Sequence, residues 1–137
     1  MQRIGIYGGT FNPPHIGHIR AAQQAAELLD LDRLILIPDR IAPHKLLPED
    51  SADAEQRFAM LKIAAAGIPN CEVSDMELRR DGVSYTYLTV LQLRKMDPDA
   101  ELFLIMGTDM FLSFHTWKEP ELIAENCTLA VLWQKSR

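Results

Sequence analysis

The sequence predicts an α/β fold: a doubly wound, five-stranded parallel sheet with helices on both faces. Three observations point there. Five short apolar runs alternate with longer helix-like segments, the pattern of successive strand–helix–strand units. No repeat and no low-complexity linker divides the chain. Polar residues with chemistry to offer recur just after the apolar runs, and in such sheets ligands bind beyond the carboxyl ends of the strands. The alternation implies right-handed crossovers.

The first strand is expected at Arg3–Tyr7. Gly8 and Gly9 follow it and lack a Cβ, so the backbone can turn tightly there and lie close to a ligand. Pro13 and Pro14 stiffen the loop. A helix is expected over Gly17–Leu29, where Ala, Gln, Glu and Leu are strong helix formers. Leu34–Pro38 is the second strand. The next helix, Ala54–Ala66, has both ends marked: Asp53 and Gln56 read as a capping box, and Gly67 with Pro69 as the stop. Glu72–Met76 is the third strand, Tyr87–Met96 the third helix and Glu101–Met106 the fourth strand. Pro120 suits the first position of a helix over Pro120–Glu125, and Thr128–Trp133 completes the sheet.

With 137 residues, 47% of them hydrophobic, the chain has apolar material for one core and one domain. Its net charge of -5, its pI near 5.3 and the lack of a basic run argue against a nucleic-acid partner. An acidic chain can still hold an anion through backbone amides, helix ends and a few placed cations. Cys71 and Cys127 have no metal-ligand spacing and make no disulfide framework, so they read as reduced core thiols. No charged leader precedes a long apolar stretch, and no window approaches the roughly 18 apolar residues of a membrane span. A cytoplasmic protein with no membrane partner is expected.

The segment from Gly8 to His18 is the most informative in the chain. It places His15 and His18 where a strand hands over to a helix, and the first free N–H groups of that helix carry partial positive charge. The spacing of three brings both imidazoles to one side, where they can donate hydrogen bonds to a nucleotide phosphate. Later loops have plainer readings beside the functional ones. Lys45 and Arg40, in Asp39-Arg40-Ile41-Ala42-Pro43-His44-Lys45, could be ordinary solvated charges. Ser84 and Thr86 are good helix caps, so capping alone could explain them. Asp109, after Gly107 at a strand end, could cap the next short helix, and Trp117 could be plain core.

The string ending His15-Ile16-Gly17-His18, with Pro43-His44-Lys45, Ser84-Tyr85-Thr86 and Gly107-Thr108-Asp109, resembles the nucleotidyltransferase superfamily that carries a His-x-Gly-His motif. The closest resemblance within it is to the bacterial nicotinate mononucleotide adenylyltransferases, and it runs from Arg3 to about Trp133. It implies a Rossmann-like fold. It also implies adenylyl transfer from ATP, with Mg2+, to nicotinate mononucleotide, giving nicotinate adenine dinucleotide and pyrophosphate in NAD biosynthesis. His15 and His18 would be the catalytic contacts to the ATP phosphates. Gly8, Gly9, Thr10, Phe11, Gly17, Gly107 and Asp109 would bind ATP, with the Asp109 carboxylate suited to ribose hydroxyls. Lys45, Ser84, Tyr85, Thr86 and Trp117 would bind the mononucleotide. Ser84-Tyr85-Thr86 would take its carboxylate at a helix N-terminus, and Trp117 would stack on the pyridine ring. No protein ligands to a metal are implied.

The chain departs from that family at Asp39, where asparagine is common, at Ala42, in place of a proline, and at Lys118, where a second aromatic often follows the tryptophan. Family members also continue past the fifth strand into a Ser/Thr-rich motif ending Ile-x-Arg. This chain stops at Gln134-Lys135-Ser136-Arg137, and the expectation is one nucleotidyltransferase domain, residues 1–137, without that segment. The alternatives are a sibling enzyme, such as a pantetheine-phosphate adenylyltransferase or a cytidylyltransferase, and a nucleotide-binding module without catalysis.

Overall fold

The computed structural model describes residues 1–14, 16–43, 47 and 51–132. Strands β1 (Arg3–Gly9), β2 (Arg33–Pro38), β3 (Cys71–Val73), β4 (Glu101–Gly107) and β5 (Thr128–Leu132) form one sheet in the order β3-β2-β1-β4-β5. Every neighbouring pair is parallel. The helices are α1 (Ile16–Leu28), α2 (Ala54–Ala65), α3 (Thr86–Met96), α4 (Thr108–Leu112) and α5 (Pro120–Asn126). The chain winds from β1 outward to β3, then crosses back to β4 on the other side of β1. The predicted doubly wound class is therefore the observed one.

Alternation along the strands explains why both faces are covered. Ile4, Ile6, Ile35, Ile37, Leu102 and Leu104 pack on one side with Val90 and Leu93 of α3 and Ile123 of α5. Tyr7, Leu34, Leu36 and Ile105 pack on the other with Ala22 and Ala25 of α1 and Leu61 and Ala65 of α2. Strands buried on both faces read as nearly continuous apolar runs, as here. Each fully buried Ile or Leu contributes about 1.5–3 kcal/mol. These two layers hold the sheet rigid beneath its loops.

The helix signals in the sequence are realised. Gln56 N donates to Asp53 Oδ1 at 2.8 Å and Asp53 N to Gln56 Oε1 at 3.0 Å, the reciprocal capping box at the start of α2. Pro120 stands at the start of α5.

Two strand expectations are corrected. β1 runs on through both glycines, with Gly8 beside Ile37 and Gly9 beside Pro38 in the parallel ladder. The turn comes later, at Phe11, whose φ is 51°. β3 stops at Val73 instead of reaching Met76, because Asp75 O accepts from Leu78 N and Arg79 N and folds the chain into a turn. Trp133 lies outside the described residues.

Cys71 and Cys127 are free and half-buried, at the sheet edge and the end of α5, not in the core centre. Burial pushes both thiols up to about 11. Among the described residues, no helix is long and apolar enough to cross a membrane.

Candidate functional site

A cavity of about 440 Å³ opens beyond the carboxyl ends of the central strands. Its floor includes Ile6, Ile37 and Leu104, one residue from each of the three central strands. This is where the strand order reverses, the position at which open α/β sheets take ligands. Gly8, Gly9 and Thr10 form one wall, Ser84, Tyr85 and Thr86 a second, and Trp117 a third. A Cβ on Gly8 would meet only the Ile37 carbonyl oxygen at 3.7 Å, and one on Gly9 the Phe11 ring at 3.4 Å. Packing does not forbid side chains at either position, and both glycines line the cavity.

Other sequence candidates fall elsewhere. Phe11 is buried and does not line the cavity; it meets Tyr7 edge-on at 6.0 Å and His18 edge-on at 5.3 Å. It thereby braces the motif histidine on the first turn of α1. Gly17 and His18, at the start of α1, lie outside the cavity lining, as do Gly107 and Asp109. Gly107 caps α4 and Asp109 sits within its first turn, so Asp109 is not the cap. His15, His44 and Lys45 lie outside the described residues.

The capping explanation for Ser84 and Thr86 also fails. The cap of α3 is Tyr85, with no side-chain cap bond, and Thr86 is the first helical residue. Ser84 Oγ instead accepts from Arg40 N at 2.9 Å and Ile41 N at 3.2 Å, tying the loop after β2 to the entry of α3. The first turn of α3 holds no acidic residue, so the partial positive charge of its N-terminal amides is not offset from within the helix. Lys118 adds to it, with Nζ 4.7 Å from the Tyr85 ring centre. Trp117 packs on Phe114 at 5.1 Å against the core and also lines the cavity.

Two buried polar groups were not anticipated as site residues. Asp39 accepts from the Thr10 hydroxyl at 3.0 Å and pairs at 3.3 Å with Arg57, which is 2% exposed and also donates to the Thr10 carbonyl at 2.7 Å. Glu77, 6% exposed in the cavity wall, accepts from the Thr89 hydroxyl at 2.7 Å. The Arg80 guanidinium bonds the same hydroxyl and stands 4.0 Å from the carboxylate. Burial pushes Glu77 up to about 7; Thr89 and Arg80 oppose the shift and the Asp39 charge adds to it. One signal for Arg57 was available: Arg57, Leu61 and Ala65 recur every four residues on the buried stripe of α2. Among the described residues, no group of three or more His, Cys, Asp or Glu is placed to hold a metal ion.

The reversal of strand order, the cavity above it and the glycine strand end in its wall define a doubly wound, Rossmann-like domain with a ligand cavity at its switch point. The chain belongs to the cytidylyltransferase-like family, whose model matches residues 6–135. It is 46% identical to a probable nicotinate-nucleotide adenylyltransferase of Desulfatibacillum aliphaticivorans, over 99% of this chain and 63% of that protein. A protein of the same name from Thermus thermophilus is 43% identical over 96% of this chain and 69% of its own length. The chain spans about three-fifths of the length of most such relatives, 59% to 63%. The solved structure of the Plasmodium falciparum nicotinic acid mononucleotide adenylyltransferase complexed with NaAD shares the fold. It aligns with a TM-score of 0.79 at 16% identity, covering 100% of this chain and 77% of that one.

Proposed function

We propose that this chain serves adenylyl transfer from ATP to nicotinate mononucleotide, releasing pyrophosphate and forming nicotinate adenine dinucleotide for NAD biosynthesis. One observation carries the reading: a single cavity gathers the glycine strand end, the uncapped α3 N-terminus and Trp117. The first suits phosphates, the second a carboxylate and the third a flat heterocycle. The names of the relatives point the same way.

In this mechanism an oxygen of the mononucleotide 5′-phosphate attacks the α-phosphorus of ATP in line. The new P–O bond forms as the bond to the β-phosphate breaks, and pyrophosphate leaves with the electron pair. No protein nucleophile takes part; the protein positions two anions and offsets the charge growing on the leaving group. His18, His15 and the α1 N-terminus would serve the triphosphate, with Asp109 toward the ribose. Lys45 would serve the substrate phosphate, and Ser84 to Thr86 with Trp117 the nicotinate ring. Mg2+ would arrive with ATP, held by phosphate oxygens and water, and would neutralise part of the triphosphate charge. The setting proposed is the cytoplasm.

The test is pyrophosphate release with Mg2+, using ATP or CTP, and nicotinate mononucleotide or its amide. Release with ATP and the acid supports the reading. Release only with CTP would transfer the chain to cytidylyl chemistry, and nucleotide binding without any release would leave a binding module.

A further inference from the structure

We propose that Arg57 and Asp39 form a buried clamp that positions Thr10, and so the end of β1, for the ligand in the cavity. The inference rests on the reading that this loop faces a nucleotide.

The bonds form a closed ring. Arg57 Nη1 donates to the Thr10 carbonyl at 2.7 Å and to Asp39 Oδ1 at 3.3 Å, while Thr10 Oγ1 donates to Asp39 Oδ2 at 3.0 Å. Asp39 N also donates to Gly9 O at 3.0 Å. The hydroxyl and the carbonyl of Thr10 are therefore both held, and the loops after β1 and β2 are joined. Thr10 and Asp39 line the cavity, whereas Arg57 stands behind them. Arg57 is a positioning residue: it reaches a ligand only through Thr10 and Asp39.

Stability alone is a poor account of this arrangement. Arg57 lies on the stripe that buries Leu61 and Ala65, and its Nε is buried without a hydrogen-bond partner among the described residues. Desolvating a guanidinium and a carboxylate offsets most of their attraction, and apolar replacements of similar volume often leave a fold as stable or more so. What an apolar pair cannot do is fix a loop in one geometry, which is the requirement for holding phosphates in line. The clamp also explains how Asp39 is tolerated beside an anion site: its charge is compensated from behind by Arg57.

The test uses the double variant Asp39→Asn/Arg57→Met, which removes both charges and keeps approximate volume. Three readouts apply: thermal midpoint, the affinity for ATP with Mg2+ by calorimetry, and amide exchange at Gly9, Thr10 and Phe11. The expected result is a folded protein in which exchange at these amides accelerates and ATP affinity falls about tenfold to a hundredfold. A folded double variant with unchanged exchange and unchanged affinity overturns the proposal. If that variant does not fold, Arg57→Lys takes its place. It keeps the charge, but its Nζ stands one bond nearer the backbone than the Nη1 that makes both contacts, and the same readouts decide. If the parent chain binds no ATP, the nucleotide reading fails on its own, and the exchange measurement still decides whether the clamp holds the loop.

Discussion

Thr89 donates its hydroxyl to Glu77 at 2.7 Å in the wall of the cavity, and so ties α3 to the turn that precedes it. Arg80 closes on the same hydroxyl from the other side. The carboxyl is nonetheless pushed up from 4.5 to about 7, chiefly because it is buried.

A pH dependence follows. Between 4.5 and about 7 the folded state binds more protons at Glu77 than the unfolded state, so its contribution to stability is lost as pH rises through that window. The stability of the parent relative to Glu77→Gln should therefore fall by roughly 3 kcal/mol between pH 4 and pH 8. Urea titrations of both proteins across that range measure it. A difference that stays level with pH would show that burial does not govern this carboxyl.

Ser84→Ala leaves the amides of Arg40 and Ile41 without their acceptor. The expected loss is about 1–3 kcal/mol, read from denaturant midpoints. Because the same bonds hold the loop after β2 against the α3 entry, mononucleotide affinity should fall with stability. Unaltered stability would mean that water replaces the hydroxyl without penalty.

His18→Ala should reduce pyrophosphate release by about 10²–10³, the usual effect of removing one preorganised donor from developing charge. The fold should survive, since the edge-on packing against Phe11 is lost while the apolar layers on both faces of the sheet are untouched. Parallel measurements of turnover and thermal midpoint distinguish the two effects. Full turnover in a folded variant would remove His18 from the mechanism.

Trp117→Ala should act on the mononucleotide and not on ATP: a raised KM for the former with little change for the latter. Some stability is lost as well, through the contact with Phe114. A defect confined to ATP would reverse the placing of the two substrates in the cavity.

The sequence by itself determined the parallel sheet between two helical layers and several of the residues that come to line the cavity. Runs such as Leu34–Pro38 and Glu101–Met106 are too apolar to lie anywhere but between two helical layers, and the Asp53/Gln56 box needs only residues three apart to form. The glycine strand end, Ser84-Tyr85-Thr86 and Trp117 were legible as polar, small or aromatic residues in the connections after apolar runs, although the ends of β1 and β3 themselves were misplaced. Only the tertiary structure decided that Gly8 and Gly9 remain in the ladder, because their pairing with Ile37 and Pro38 depends on a second strand. It alone decided that Ser84 binds the loop after β2 instead of capping its own helix. The buried partners Asp39–Arg57 and Glu77–Thr89 are 18 and 12 residues apart in the chain. Charged residues read as solvated until packing removes water from them, and no local pattern reports which partner they will then find.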